Sequence, residues 1–378
     1  MENIIRTMNQ KKDSIPWIEK YRPKKIDNIT QDSTLIEMFR NVITTGDISH
    51  LLFYGAPGTG KTSAILAIGR ELFKEEFHNR IVEFNASDDR GINAVREKIT
   101  HEAKKYVSEM VSQDGTILPA FKIIILDEAD SMTDEAQDAL RVIIEEYSRV
   151  TRFCFICNYI TKITDAIKSR CSIVYFKKLS DECMINKLME IAKLESINVP
   201  DKIFSTIIEV ANGDMRKAIT ILQNLKYKYN FLKLLKIPKY KLTDDEFNFI
   251  SKIIPKHISS INVDITSEDI YELAAFINMK HADKIIDNII NSKNISQLVK
   301  LCREIIASGY PIDGIINQIN VSITNSNKFT DKQKAYIFVH SGTILLKMKG
   351  CASEYIQLLD FLSCVYSIKN ELNVYSII

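Results

Sequence analysis

No run of apolar residues in this sequence approaches the length needed to cross a bilayer, and its opening, Met1-Glu2-Asn3-Ile4-Ile5-Arg6-Thr7, lacks the apolar stretch of a secretory signal. A soluble, intracellular protein is expected. An excess of charge is missing as well: 50 Lys and Arg stand against 48 Asp and Glu, a net charge of +2. That excludes a polycation that coats nucleic acid, although not a local basic stripe. Paired cysteines are missing too. The seven thiols are odd in number and lack the spacing of a disulfide framework, which fits a reducing compartment. Cys154-Phe155-Ile156-Cys157 is a C-x-x-C in form, but it lies inside an apolar run and no second close pair follows. It reads as two small apolar residues of a buried strand rather than a zinc or redox centre. The six histidines are scattered and fit neither a zinc site nor a catalytic triad.

What remains is an ordinary globular composition, 46% hydrophobic and 26% charged over 378 residues, enough for two or three domains. Short apolar runs at 51–54, 81–84, 123–126, 153–157 and 173–176 alternate with longer helix-like stretches, the pattern of a parallel α/β sheet. After residue 177 strands are no longer expected, and segments such as 182–194 and 202–211 repeat apolar residues at helical spacing. The stretch 226–241, rich in Lys, Tyr and Leu with Pro238, suggests a second boundary. Beyond it, apolar faces at 267–276, 284–290, 295–306, 312–319 and 355–365 predict helices throughout. The expected division is a sheet domain over 1–177, a helical module over 178–235 and a helical C-terminal domain over 236–378. The apolar faces of that last domain suit a self-contained bundle, contacts with other subunits, or both.

The chemistry is concentrated at residues 55–62, Gly-Ala-Pro-Gly-Thr-Gly-Lys-Thr. Three glycines let backbone N–H groups wrap phosphates without Cβ clashes. Lys61 supplies charge to the terminal phosphates, Thr62 coordinates Mg²⁺, and a helix starting there adds its positive N-terminal dipole. Gly55, Ala56, Pro57, Gly58, Thr59, Gly60, Lys61, Thr62 and Ser63 are therefore the expected nucleotide contacts. Farther on, Ile123-Ile124-Ile125-Leu126 ends in Asp127-Glu128-Ala129-Asp130. Asp127 is delivered beside the metal, and Glu128, one residue on, can face the γ-phosphate and polarise an attacking water. Hydrolysis of a nucleoside triphosphate is the expected reaction.

Four further segments, Trp17-Ile18-Glu19-Lys20-Tyr21-Arg22-Pro23, Asn85-Ala86-Ser87-Asp88-Asp89-Arg90-Gly91-Ile92, Ser169-Arg170-Cys171 and Gly213-Asp214-Met215-Arg216, complete a pattern running almost end to end. It resembles the small subunits of replication factor C, the sliding-clamp loaders of the AAA+ ATPase class. The resemblance implies an AAA+ P-loop ATPase domain with a parallel sheet flanked by helices, a small helical lid, and a C-terminal all-α collar. It implies ATP and Mg²⁺, with Ile18, Arg22 and Thr30 in a segment folded over adenine and ribose, although the family usually has an aliphatic residue where Thr30 stands. Asn158 matches the residue that orients the hydrolytic water or γ-phosphate, and Arg216 matches the lid arginine that reaches the same phosphate. Arg170 matches the arginine finger that serves a neighbouring subunit's ATP; a planar guanidinium neutralises developing phosphate charge and cannot deprotonate.

The same resemblance assigns DNA contacts to Arg90 and Arg96, at positions that track a duplex phosphate backbone and read shape rather than sequence. Gln137 and Arg141 match the helix that couples DNA and clamp contacts to ATPase competence. The next residue, often a second Arg in the family, is Val142 here. The implied function is an ATPase subunit that helps load a ring-shaped sliding clamp of the PCNA type onto primer–template DNA, in a five-subunit assembly with sister subunits and no membrane. The implied place is the nucleus or another site of DNA replication, a viral one included. A mainly structural, low-turnover subunit is one alternative, against which the intact Glu128 counts. An AAA+ branch-migration motor is another, against which the Trp17–Pro23 and Ser169–Cys171 segments count.

Overall fold

The computed structural model describes residues 15–86, 92–235, 265–350 and 352–370, with side chains left out at 92–96 and 230–235. It divides into two compact units, one reaching Lys226 and the other beginning at Tyr227.

In the first unit the five apolar runs become one parallel sheet: β1 (Leu51–Gly55), β2 (Ile81–Asn85), β5 (Lys122–Asp127), β6 (Thr151–Cys157) and β7 (Ser172–Phe176), ordered β2-β5-β6-β1-β7. A separate antiparallel pair, β3 (Met110–Val111) and β4 (Ile117–Leu118), is not signalled by the apolar pattern, because two-residue strands have no period to read. Ahead of the sheet come α1 (Trp17–Lys20) and α2 (Ser33–Thr45); between its strands lie α3 (Lys61–Phe73), α4 (Ile92–Lys104) and α5 (Asp134–Tyr147).

Alternation of side chains along the strands makes two cores. Phe53, Ile123, Ile125, Cys154 and Ile156 pack on the α2 and α3 side, while Leu52, Ile124, Leu126, Phe155 and Cys157 pack on the α5 side. Cys154 and Cys157 thus face opposite sides of the sheet and can share neither a disulfide nor a metal. Burial pushes the Cys157 thiol up to about 12 and that of Cys154 well above its ordinary value. From β1 the chain crosses toward β2, and from β6 it turns to β7 on the opposite side. The direction of winding therefore switches between the adjacent β1 and β6, and sheets of this kind bind ligands beyond the strand C-termini at that crevice.

Three helices follow, α6 (Asp181–Leu194), α7 (Asp201–Ala211) and α8 (Met215–Leu235). The turn between the last two is set by Asn212 at φ 51° and Gly213 at φ 84°, a left-handed pair that closes α7 and starts α8. Helix α8 covers residues 226–235 of the stretch whose composition suggested a boundary, 236–241 lie outside the described residues, and the division between units falls within the helix.

The second unit contains α9 (Ser267–Leu273), α10 (Met279–Ile290), α11 (Ile295–Ala307), α12 (Ile312–Asn325), α13 (Asp331–Lys349) and α14 (Glu354–Lys369). Helix α10 buries Ala282, Ile285, Ile286 and Ile289, a single face at helical spacing. Helix α9 stops before the expected Phe276 because Ala275, at φ 50°, turns the chain. Helix α13 has no single apolar stripe to announce it: Ile337 and Ile344 are buried, while Val339 and Leu346 on other faces are 60% and 71% exposed. Among the described residues no helix is long and apolar enough to cross a membrane.

Candidate active site

The loop after β1 needs its glycines. A Cβ on Gly55, at φ 148°, would stand 2.3 Å from the backbone oxygen of Phe176 on β7. Gly60 caps α3 at φ 94° with no side-chain hydrogen bond, whereas Asp32, Thr133 and Ser180 cap α2, α5 and α6. The first N–H groups of α3 are thereby left for an anion, with the helix dipole behind them.

At the carboxyl ends of β1, β5 and β6 the predicted phosphate residues converge. Lys61 Nζ donates to Gly55 O at 2.8 Å, Ala56 O at 2.9 Å and Asn158 Oδ1 at 3.0 Å. Burial lowers the Lys61 pKa, the nearby Arg216 cation adds to this, and Asp127 and Asp130 oppose it. Thr62 Oγ1 donates to Asp127 Oδ2 at 2.8 Å, setting a hydroxyl and a carboxylate side by side, the hard oxygen donors that Mg²⁺ takes. The other Asp127 oxygen accepts from Glu128 N at 2.9 Å. Glu128 is exposed and left-handed at φ 54°, a conformation that costs a non-glycine residue about 1–2 kcal/mol and is held only where the surroundings impose it.

Asp130, assigned no role from sequence, accepts from Asn158 N at 3.3 Å and Tyr159 N at 3.2 Å and so ties the exit of β6 to that of β5. The one available signal was its place in the acidic run after a buried strand.

Beside the loop lies a cavity open to solvent. Ile18, Arg22, Thr30, Gly58, Thr59, Gly60, Ser63 and Arg216 line it, so the N-terminal segment, the loop and the lid helix α8 meet there. Tyr21 and Met215, inside the segments Trp17–Pro23 and Gly213–Arg216 but assigned no contact from sequence, line it too, as do Ile29, Lys187 and Ile219, which carry no motif. The lid is seated directly on the loop. Asp214 Oδ1 accepts from Arg216 N at 2.9 Å and Lys217 N at 3.4 Å, starting α8. A Cβ on Gly58 would lie 1.9 Å from that same oxygen.

Arg170 does not line the cavity. After the one-turn helix Asp165–Lys168, its guanidinium donates to Glu145 Oε1 on α5, from Nε at 2.7 Å and with NH2 at 2.5 Å, and to Ala166 O at 2.7 Å. Gln137 is fully buried; its Nε2 donates to Lys162 O at 2.9 Å and its Oε1 accepts from Thr164 N at 2.8 Å, fastening α5 to the segment that leads to Arg170. Arg141 is half-buried one turn farther along α5, and Val142 is exposed. Arg90 lies outside the described residues; Arg96 falls on α4, and its side chain is outside them.

The family models agree with this layout. Residues 51–179 match the ATPase family associated with various cellular activities, residues 186–226 the RCF1/5-like AAA+ ATPase lid domain, and residues 277–364 the replication factor C C-terminal domain. Fold and site together define an AAA+ ATPase. A protein of Acanthamoeba polyphaga mimivirus described as a replication factor C small subunit is 61% identical over 353 residues, 93% of this chain and 97% of its own length. Replication factor C subunit 2 of Schizosaccharomyces pombe is 37% identical over 361 residues, 95% of this chain and 96% of its own. The chain belongs to the replication factor C small-subunit family, the ATPases of sliding-clamp loaders. Among solved structures, the RuvB Holliday junction branch migration motor of Thermotoga maritima superposes with a TM-score of 0.48 at 15% identity over 72% of this chain and 80% of that one, too distant to bear on function.

Proposed function

We propose that this chain binds ATP with Mg²⁺ in the cavity beside Gly58 and hydrolyses it as one member of a five-subunit clamp loader acting at a site of DNA replication. Sister subunits, a PCNA-type clamp and primer–template DNA would be its partners. The ATPase domain would span 1–177, the lid 178–235 and the collar 236–378. The observation that carries the reading is the meeting of Lys61, Thr62, Asp127 and Asn158 at one end of the sheet with Arg216 of the lid lining the adjoining cavity.

In this reading Gly55 to Ser63 cradle the phosphates, while Ile18, Arg22 and Thr30 wall the base and ribose. Thr62 and Asp127 would hold Mg²⁺, whose charge offsets that of the terminal phosphates. Lys61 exchanges a loop carbonyl or Asn158 for phosphate oxygen. Glu128 accepts the proton of the attacking water, Asn158 orients that water, and Arg216 draws the lid toward the γ-phosphate. Arg170, held outside its own cavity by Glu145, is available to a neighbour's ATP, so each site is completed by a second chain. Arg90 and Arg96 would follow the duplex backbone, and Gln137 and Arg141 would relay DNA and clamp contacts to the site. ATP binding then holds the assembly and the opened clamp, and hydrolysis releases the clamp on DNA.

The test is steady-state ATP hydrolysis by the complex purified with its partner subunits. Clamp and primed DNA together are expected to raise the rate; no stimulation by either would sink the proposal.

A further inference from the structure

Glu195 stands just past the end of α6, outside the cavity, yet three donors from two parts of the first unit converge on it. Lys20 Nζ reaches Oε1 at 2.6 Å, Lys226 Nζ reaches Oε2 at 2.5 Å, and the Tyr21 hydroxyl also donates to Oε1. The Glu195 side chain is only 7% exposed. Burial alone would raise its pKa, but the bonds from Lys20, Lys226 and Tyr21 outweigh that and hold the carboxyl at about 2. A second joint lies alongside: Trp17 N donates to Gln223 Oε1 of α8 at 3.1 Å, and the Lys226 ammonium sits 5.4 Å from the centre of the buried Trp17 ring. The segment carrying Ile18, Tyr21 and Arg22, which walls the base half of the cavity, is therefore fastened to the lid that carries Arg216.

We propose that Glu195 is a positioning residue for the ATPase reaction: it makes the N-terminal segment and the lid one body, so that filling the base pocket and placing Arg216 at the phosphates become a single event. This rests on the nucleotide reading of the cavity. It predicts that the base of ATP, and not its phosphates alone, sets the lid. Charge-assisted bonds to a buried carboxylate suit this task, because removing one partner leaves the others unpaired and the joint loses its geometry.

Trp17 is the only tryptophan in the sequence, so its fluorescence reports this joint. The full chain, its Glu195→Gln variant and its Lys226→Met variant are titrated with ATP and with inorganic tripolyphosphate. ATP, and not tripolyphosphate, is expected to change the Trp17 emission of the unmodified chain. Glu195→Gln should weaken ATP binding about tenfold and Lys226→Met about threefold, with tripolyphosphate affinity unchanged. Arg216→Ala, which should weaken ATP binding in the unmodified chain, should add no further loss to Glu195→Gln. Equal losses for ATP and tripolyphosphate, additive losses in the double variant, or an unchanged ATP affinity would each overturn the inference. An unmodified chain that binds no ATP would instead overturn the nucleotide reading beneath it. Lys226→Met carries the same comparison if circular dichroism shows that Glu195→Gln does not fold.

Discussion

Asn158 holds one of the three acceptors that engage Lys61, and it is the one outside the phosphate loop. Its removal should leave the cradle of glycine N–H groups in place while the reacting water and Lys61 lose their orientation. Asn158→Ala is expected to lower kcat about 10²-fold with ATP affinity within a few fold, read from steady-state hydrolysis beside equilibrium nucleotide binding. Acid should act on two other residues. Burial, helped by Arg152, holds the His50 pKa down at about 4, and its Nδ1 accepts from Phe153 N at 3.1 Å. Its folded pKa is depressed, so its stabilising contribution is complete above the unfolded value of 6.5 and is lost as pH falls through 6.5 toward 4. Glu195 adds a lower window, complete above about 4.5 and lost as pH falls toward 2. Thermal unfolding followed against pH should therefore show two successive losses, and His50→Gln should remove the upper one. Lys61, Thr62 and Asp127 were legible because phosphate and metal chemistry demand those residue types at short, fixed spacing. Glu195 was not, because its partners are far away in sequence and no spacing records the meeting, and the same holds for the approach of Asp214 to Gly58.

Elements carry the next level of the design. The seat of α8 against the phosphate loop leaves no room for a methyl group on Gly58, whose φ of 72° is itself left-handed. Gly58→Ala is expected to push Asp214 and the start of α8 away, lowering ATP affinity at least tenfold by titration, with the sheet intact by circular dichroism. Helix α5 holds the segment that carries Arg170 at two points, Gln137 on Thr164 and Glu145 on Arg170. The Glu145–Arg170 pair is half exposed, so Glu145→Gln should cost stability less than about 1 kcal/mol by denaturant titration. Arg170→Ala should instead slow hydrolysis at the adjacent site about 10³-fold, measured in complexes where that site alone is competent. The sheet was readable because both its faces are buried and its strands are therefore apolar runs, and most of the helices were readable from period because one face of each is wet. Helix α13 was not, since Val339 and Leu346 put apolar residues on the exposed side as well and blur the signal.

For the whole molecule the expected signature is separation of holding from release. In the proposed reaction Glu128→Gln removes the proton acceptor and keeps the phosphate cradle, so loaders carrying it should capture clamp and primed DNA with ATP while hydrolysis falls at least 10²-fold. Gel filtration of the trapped complex, beside a phosphate-release assay, separates the two. An unaltered rate would place turnover in sister subunits and make this chain a structural member. The step from sheet to helices was legible, because the period changes there and the phosphate loop anchors the first part. The joints between parts were not.

The contact between Gly58 and Asp214 also bears on how such a chain can change over generations. A side chain can be gained at position 58 only if position 214 gives ground, and a longer residue at 214 must find the loop already bare. The two positions constrain each other across 155 intervening residues, whereas Val339 and Leu346 on α13 are exposed. Drift should therefore be slow where the lid meets the phosphate loop and fast on the exposed face of α13. A survey of substitutions at 58 and 214 would find them exchanged together or kept together.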